Sequence, residues 1–486
     1  MSKKSVFQRL AYSALLLCLC ATPLPGAAAG GDEADQRPHV LLLTIDTLRA
    51  DHLGCYGYRL ETSPTIDALA DRGVRFSDCM VQWPKTWPSL ASLLSGAYPR
   101  TTGIRYARKT LPAAMHMLAE VFSEGGYATA AVVSNCTVGK HFNFHQGFDV
   151  FVESWQERWQ AQHGKRIFRN EGGLVKRYTD AGLVVDQALR WLDERTDDRP
   201  VFMWLHFMDP HGPYVPPAGY ENHFVEDHPT EMVPLEVIPE YQRQPDPIGD
   251  PITDLGFYKT QYDREIRYQD DELQRLLGEL RARGLMDNAL LALTADHGES
   301  LGEHDYYLEH GRFSYQVNAH VPLILVWEGR LPARRIIDRP VGLIDLAPTL
   351  VALAGLPPVG SHEGLDLRSL IDGGMVALAP DCVFMESGYY TPDSQRTVRR
   401  GRWKLIHVRS PLDRDAMDGG EWELYDLEND AYETRNLATA HPQLVSVLAG
   451  ILEDWAAVDG PEIEPLDVDM DELSDRDKKI LRSLGY

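Results

Sequence analysis

Three short segments place acids and imidazoles at the ends of apolar runs. Thr44-Ile45-Asp46-Thr47 closes the run His39–Ile45. His206-Phe207-Met208-Asp209-Pro210-His211-Gly212-Pro213-Tyr214 closes Val201–Phe207, and Thr294-Ala295-Asp296-His297-Gly298-Glu299 closes residues 289–294. Carboxylates and imidazoles are donors for divalent metal ions. Each alone is more often a cap or loop residue; gathered at the strand ends of one sheet, they suggest a metal site. A fourth segment runs from Trp83 to Gly96. Pro88 opens a short helix that stops at Gly96, and Thr86 lies just before it. Backbone N–H groups and the helix dipole favour an anion there. Thr86 either caps that helix or offers its hydroxyl as a nucleophile beside a metal.

The elements that must position these groups alternate. Residues 39–45, 127–134, 201–207, 289–294 and 322–327 read as buried strands. Between them, residues 64–72 form a helix with Ser63 as N-cap and Pro64 in its first turn. Residues 184–192 form another, and residues 264–283 a long amphipathic one. This alternation predicts an α/β fold, a mostly parallel sheet sandwiched by helices, with ligands beyond the carboxyl ends of its strands. Residues 216–251 break the rhythm. They are rich in Pro, Asp and Glu and read as a surface insertion, either a substrate-side cap or a neutral excursion. Residues 397–408 and 422–427 read as short antiparallel strands and 442–455 as a closing helix. The division expected is 36–372 for the catalytic domain and 373–486 for a smaller C-terminal α+β subdomain.

The chain has 486 residues, 44% of them hydrophobic and 25% charged, the profile of a folded globular protein. Its formal charge of −24 makes nucleic acid and anionic membrane surfaces poor partners. Lys3, Lys4 and Arg9 precede an apolar stretch from Leu10 to Ala21, and Ala27 and Ala29 follow as a small-residue cleavage site. Residues 1–29 therefore read as a signal peptide, giving an exported protein, periplasmic or extracellular, with no stable membrane span. A lipid anchor at Cys18 or Cys20 is disfavoured by the large Leu17 and Leu19 before them. Cys55, Cys79, Cys136 and Cys382 are too scattered for a disulfide scaffold. Asn135-Cys136-Thr137 matches a glycosylation sequon but carries little weight beside a bacterial-looking leader.

The ordered motifs resemble the sulfatase family, in the alkaline phosphatase superfamily. They begin with Ile45-Asp46-Thr47-Leu48-Arg49-Ala50-Asp51-His52-Leu53-Gly54 and Thr86-Trp87-Pro88-Ser89. Pro210-His211, Asp296-His297-Gly298-Glu299, His310-Gly311, Trp403-Lys404-Leu405-Ile406 and Glu423-Leu424-Tyr425-Asp426-Leu427 follow. The resemblance implies Asp46, Thr86, Asp296 and His297 as metal ligands, and Thr86, His211 and His310 as catalytic residues. It implies one divalent ion, calcium by family, with manganese or zinc favoured by an imidazole ligand. His206 and Asp209 stand between substrate contact, a second metal and plain structure; for His206, His304 and His320 the structural role is favoured.

The departures from the family pattern are equally specific. Sulfatases resemble one another in a Cys or Ser matured to formylglycine, with an Arg four residues on. Thr86 and Leu90 stand there, so no formylglycine is expected. Ser134-Asn135 and His310 replace two lysines, and Thr47 replaces a second Asp. The function expected is a sulfatase-family hydrolase cleaving a sulfate or phosphate ester by in-line attack of a metal-bound nucleophile. The alternatives are a phosphodiesterase or phosphotransferase with a Thr nucleophile, and a non-catalytic binder of sulfated or phosphorylated glycans. His310, replacing a fixed cation, is expected to make activity change between about pH 5 and 8.

Overall fold

A computed structural model describes residues 37–105, 109–155, 180–374, 381–388, 394–415, 417, 420–458, 465–468, 473 and 478. The signal-peptide reading of residues 1–29 lies outside them.

Runs of consecutive apolar residues become interior strands. His39–Ile45 (β1), Ala128–Val133 (β3), Val201–Phe207 (β5) and Ala289–Ala295 (β6) are buried nearly throughout, as strands covered on both faces require. With Val74–Met80 (β2) and Val150–Glu153 (β4) they belong to a nine-stranded sheet. β1 pairs in parallel with β5 and β6, and β3 with β4 and β5. Asp46, Asp296 and Asp209 thus leave the same edge.

After β6 the chain does not cross back under the sheet. It stays at the carboxyl edge through the hairpin of Ser300–Leu301 (β7) and Tyr307–Glu309 (β8), then re-enters as His320–Val326 (β9). With no crossover, β9 must run antiparallel to its neighbours β2 and β6. This detour brings Glu299 and His310 to the edge that carries Asp46. Arg335–Ile337 (β10) and Val341–Gly342 (β11) add to β2 in parallel.

Cys382–Ser387 (β12), Gln395–Arg400 (β13), Trp403–Val408 (β14) and Trp422–Asp426 (β15) form a separate antiparallel sheet, against which Pro442–Ala456 packs. The single span 397–408 divides into two strands because Gly401, at φ 57°, turns the chain. Lys404 ties this sheet to the main domain: its buried ammonium reaches the Ser314 carbonyl at 2.6 Å and Glu433 at 2.7 Å.

Two helix starts differ from the sequence reading. Ser63 stands at the N-cap of Pro64–Arg72, but its side chain makes no capping bond. Instead Asp270, from the long helix Leu255–Ala282, accepts the N–H groups of Thr65 at 2.8 Å and Ile66 at 2.9 Å. A remote carboxylate thus replaces the local hydroxyl. Thr86 does not precede its helix but begins it: the helix is Thr86–Ser95, with Lys85 at the N-cap and no capping bond from a Lys85 side chain. Cys55, Cys79 and Cys382 are free thiols. Among the described residues no helix is long and apolar enough to cross a membrane.

Candidate active site

Asp46 follows β1, where Thr47 adopts φ 56°, an uncommon conformation for a β-branched residue. Two contacts hold the turn. The Thr47 N–H donates to Asp296 Oδ1 at 3.2 Å, and the Tyr262 hydroxyl donates to the Thr47 carbonyl at 2.7 Å. Asp296 Oδ1 also accepts the His297 N–H at 2.9 Å. The next residue must be glycine, since a Cβ at 298 would lie 2.0 Å from the Val317 carbonyl oxygen. Ser89 donates to the Asp296 carbonyl at 2.5 Å and pins the Thr86 helix to the end of β6.

The ligand atoms of Asp46, His206 and Asp296 lie within 4.8 Å of one another, and all three residues are buried. Among the described residues, Asp46 Oδ1, Asp296 Oδ2 and His206 Nε2 have no hydrogen-bond partner. Buried polar atoms are rarely left so, because each costs about 1–3 kcal/mol. A divalent cation satisfies all three, so the donor set fits the ion that the resemblance implies. Burial and the charge of Asp46 push the Asp296 carboxyl up. Burial pushes Asp46 the same way, but the imidazoles of His211, His206 and His297 outweigh it and hold Asp46 below the usual carboxylate range.

His206 therefore stands apart from its structural reading. Trp204 Nε1 donates to Thr44 Oγ1 at 2.9 Å, and the Thr44 hydroxyl faces the Leu205 carbonyl at 3.4 Å. Its oxygen is left to accept from His206 Nδ1 at 2.9 Å. That tautomer leaves the Nε2 lone pair 3.6 Å from Asp46 Oδ2, the usual arrangement of a metal-ligating histidine. Asn135 was also missed as a site residue: its amide donates to Asp46 Oδ2 at 2.7 Å. Buried there, it offers no exposed amide to a glycan.

The Thr86 hydroxyl oxygen lies 3.2 Å from His297 Nε2. His297 donates Nδ1–H to the Gly298 carbonyl at 2.9 Å, and burial lowers its pKa to about 4. Nε2 is therefore an unprotonated acceptor, 3.4 Å from Asp296 Oδ2 and 3.8 Å from Asp46 Oδ1. The ring of His310 lies 4.3 Å from that of His297, and the ring of His211 is 5.2 Å beyond His310. The fold thus gathers Asp46, Thr86, Asp296, His297, His211 and His310 in one place.

His310 Nδ1 meets Glu299 Oε1 at 3.0 Å. Burial pushes the Glu299 carboxyl up and holds His310 well below its ordinary value. The expectation that His310 titrates near neutral pH is thereby corrected: burial keeps the ring uncharged. Asp209 does not face the metal cluster with its Oδ2. That oxygen accepts the Ala181 N–H at 2.8 Å and, with Asp180, caps the helix Ala181–Glu194. His304 and His320 bond the carbonyls of Tyr432 and Ser77, as structural residues. Leu90 is fully buried in the apolar core. The 216–251 insertion is not confined to the surface. Tyr241 stacks on His211 at 6.5 Å, and Gln242 donates to the Leu308 carbonyl.

Comparison with known proteins gives the family. The Sulfatase family model matches residues 38–356, and the model of the C-terminal part of N-sulphoglucosamine sulphohydrolase matches residues 302–456. The chain belongs to the sulfatase family and is an ester hydrolase. It is 23% identical to the N-acetylglucosamine-6-O-sulfatase of Bacteroides thetaiotaomicron, over 87% of each chain. It is 28% identical to the iduronate 2-sulfatase of Mus musculus, over 72% of this chain and 74% of that one. Among solved structures, a protein in complex with its substrate D-glucosamine-2-N,6-O-disulfate superposes with a TM-score of 0.69 at 20% identity, covering 86% of this chain and 97% of the other. The phosphonate monoester hydrolase of Agrobacterium radiobacter superposes with a TM-score of 0.68 at 21% identity, covering 87% and 96%.

Proposed function

We propose that this sulfatase-family hydrolase is an exported, metal-dependent enzyme that uses the Thr86 hydroxyl as its nucleophile, with phosphate or phosphonate esters preferred over sulfate esters. The observation that carries the reading is the 3.2 Å approach of Thr86 Oγ1 to His297 Nε2 beside the buried Asp46, His206 and Asp296. Bound there by Asp46, Asp296 and His206, with Thr86 alongside, a divalent ion would acidify the hydroxyl and offset the charge of the ester. The imidazole among the donors favours manganese or zinc over calcium, which prefers all-oxygen shells.

The chain's own residues supply the rest. Thr86 Oγ1 attacks the phosphorus in line and gives its proton to His297 Nε2, while the bond to the ester's alcohol breaks on the opposite side and the alcohol leaves with a proton from solvent. His297 Nε2, kept unprotonated by burial, is the acceptor that faces the hydroxyl. Glu299, holding its proton against His310 Nδ1, fixes the tautomer that presents His310 Nε2–H to the ester oxygens. A threonine carries one oxygen on Cβ, so the group it receives must leave by water attack at phosphorus or sulfur. It cannot collapse to a carbonyl as a formylglycine hydrate does. That route suits phosphoryl transfer and supports the preference for phosphorus esters.

The test is a panel of aryl sulfate, phosphomonoester, phosphodiester and phosphonate ester, with the metal-stripped protein and with calcium, manganese or zinc restored. The expected outcome is metal-dependent turnover of the phosphorus esters, fastest with manganese or zinc. Faster turnover of the aryl sulfate would reverse the preference, and binding without turnover would leave a glycan-binding member of the family. Export is tested by sequencing the secreted chain, expected to begin near Gly30.

A further inference from the structure

A row of rings begins at the nucleophile. His297 faces Thr86 Oγ1 at 3.2 Å, and the rings of His310, His211 and Tyr241 follow at centroid spacings of 4.3, 5.2 and 6.5 Å. The three imidazoles are buried, whereas Tyr241 is half-buried, so the row meets solvent at the tyrosine. Tyr241 comes from the 216–251 insertion. Its hydroxyl donates to the Leu308 carbonyl at 3.2 Å, two residues before His310, and the Gln242 amide donates to the same oxygen at 3.3 Å. Gly212 lets this segment approach, since a Cβ there would collide with the Gln242 amide. The ring is thus held 28° from parallel with His211, with its polar end turned to the backbone.

We propose that Tyr241 is the wall that receives the alcohol portion of the ester, and that it gives preference to alcohols carrying a ring. The inference rests on the reading of the pocket as an ester site with Thr86 as nucleophile and extends it to a specificity-determining residue. In-line attack puts the leaving alcohol on the side of phosphorus away from Thr86. The imidazoles line the buried end, where the charged oxygens sit. The alcohol extends to the solvent end, where Tyr241 stands. A tyrosine ring offers a broad, rigid apolar face with little conformational freedom to lose. Stacking a second ring on such a face strengthens binding about two- to tenfold.

Phenyl and trifluoroethyl esters of the anion that the parent turns over fastest are compared in the metal-loaded protein. Inhibition by inorganic orthophosphate is the control that carries no alcohol. Tyr241→Ala is expected to lower kcat/KM for the phenyl ester about tenfold more than for the trifluoroethyl ester, chiefly through KM, and to leave the orthophosphate Ki unchanged. Tyr241→Phe keeps the ring, loses only the bond to Leu308, and should keep the parent's ratio between the two esters. A merely structural role would weaken both esters and orthophosphate together. That pattern, an unchanged ratio in Tyr241→Ala, or loss of the ratio in Tyr241→Phe overturns the proposal. Melting temperature and metal content identify a misfolded variant. Tyr241→Leu, which keeps apolar bulk without an aromatic face, then decides by the same ratio. A parent that turns over neither ester with any metal overturns the reading of Thr86 as nucleophile, and this inference with it.

Discussion

Thr86 Oγ1 stands 3.2 Å from His297 Nε2, while the other nitrogen of that ring is tied to the Gly298 carbonyl. The tie fixes which nitrogen carries the proton, so the hydroxyl faces a lone pair. Thr86→Ala should therefore lower turnover on the order of a thousandfold or more, with melting temperature and metal content nearly unchanged. Thr86→Ser keeps the oxygen, loses one methyl, and should retain part of the activity. Thr86→Cys should gain little sulfatase activity, because Leu90 breaks the maturation pattern. Parent-like turnover in Thr86→Ala would move the nucleophile elsewhere.

The metal cluster makes a separate prediction. Asp46 Oδ1, Asp296 Oδ2 and His206 Nε2 are buried with no hydrogen-bond partner among the described residues. Stripping the metal should lower the melting temperature, and restoring it should raise the temperature in proportion to the logarithm of ion concentration. Thr44→Val removes the acceptor that orients His206 and should weaken metal affinity about 10- to 100-fold. Metal titration followed by elemental analysis reads both effects; equal affinity in Thr44→Val would exclude His206 from the shell.

Much of this architecture was legible in the sequence because consecutive buried strands are written as unbroken apolar runs. β1 and β5 match the sequence reading at both ends. The acids at their carboxyl ends pointed to the right edge of the sheet. What escaped depends on contacts distant in sequence. Asp270 caps a helix 205 residues before it. His206 sits inside an apolar strand, where an imidazole is most often structural, and only its register with Thr44 shows its orientation. Asn135 stands where the resemblance leads one to expect a lysine, and only the fold shows its amide bound to Asp46.

His310 supplies the third prediction. Burial and the neighbouring imidazoles of His297 and His211 keep its ring neutral, with Glu299 at Nδ1. His310→Gln should lower kcat/KM about a hundredfold through loss of a positioned donor. The shape of the rate profile between about pH 5 and 8 should survive, since the group does not change charge there. Flattening of that profile in the variant would show that His310 titrates in the working range.

The last prediction concerns the fold. Asp270 accepts two backbone N–H groups at the start of Pro64–Arg72, yet burial outweighs those bonds and raises its carboxyl from 3.8 to about 6. Between about pH 4 and 6 the folded chain keeps a proton that the unfolded chain has released. The folded state then binds more protons, so this group's contribution to stability falls as pH rises through that window. Asp270→Asn cannot ionise and loses one acceptor for the helix, a cost of about 1 kcal/mol. The variant should thus be less stable than the parent near pH 4, and the gap should shrink or reverse towards pH 8. Urea midpoints of both proteins across that range measure it. A gap that widens with pH would mean that the ionised carboxylate is the better cap and that its two hydrogen bonds outweigh its burial.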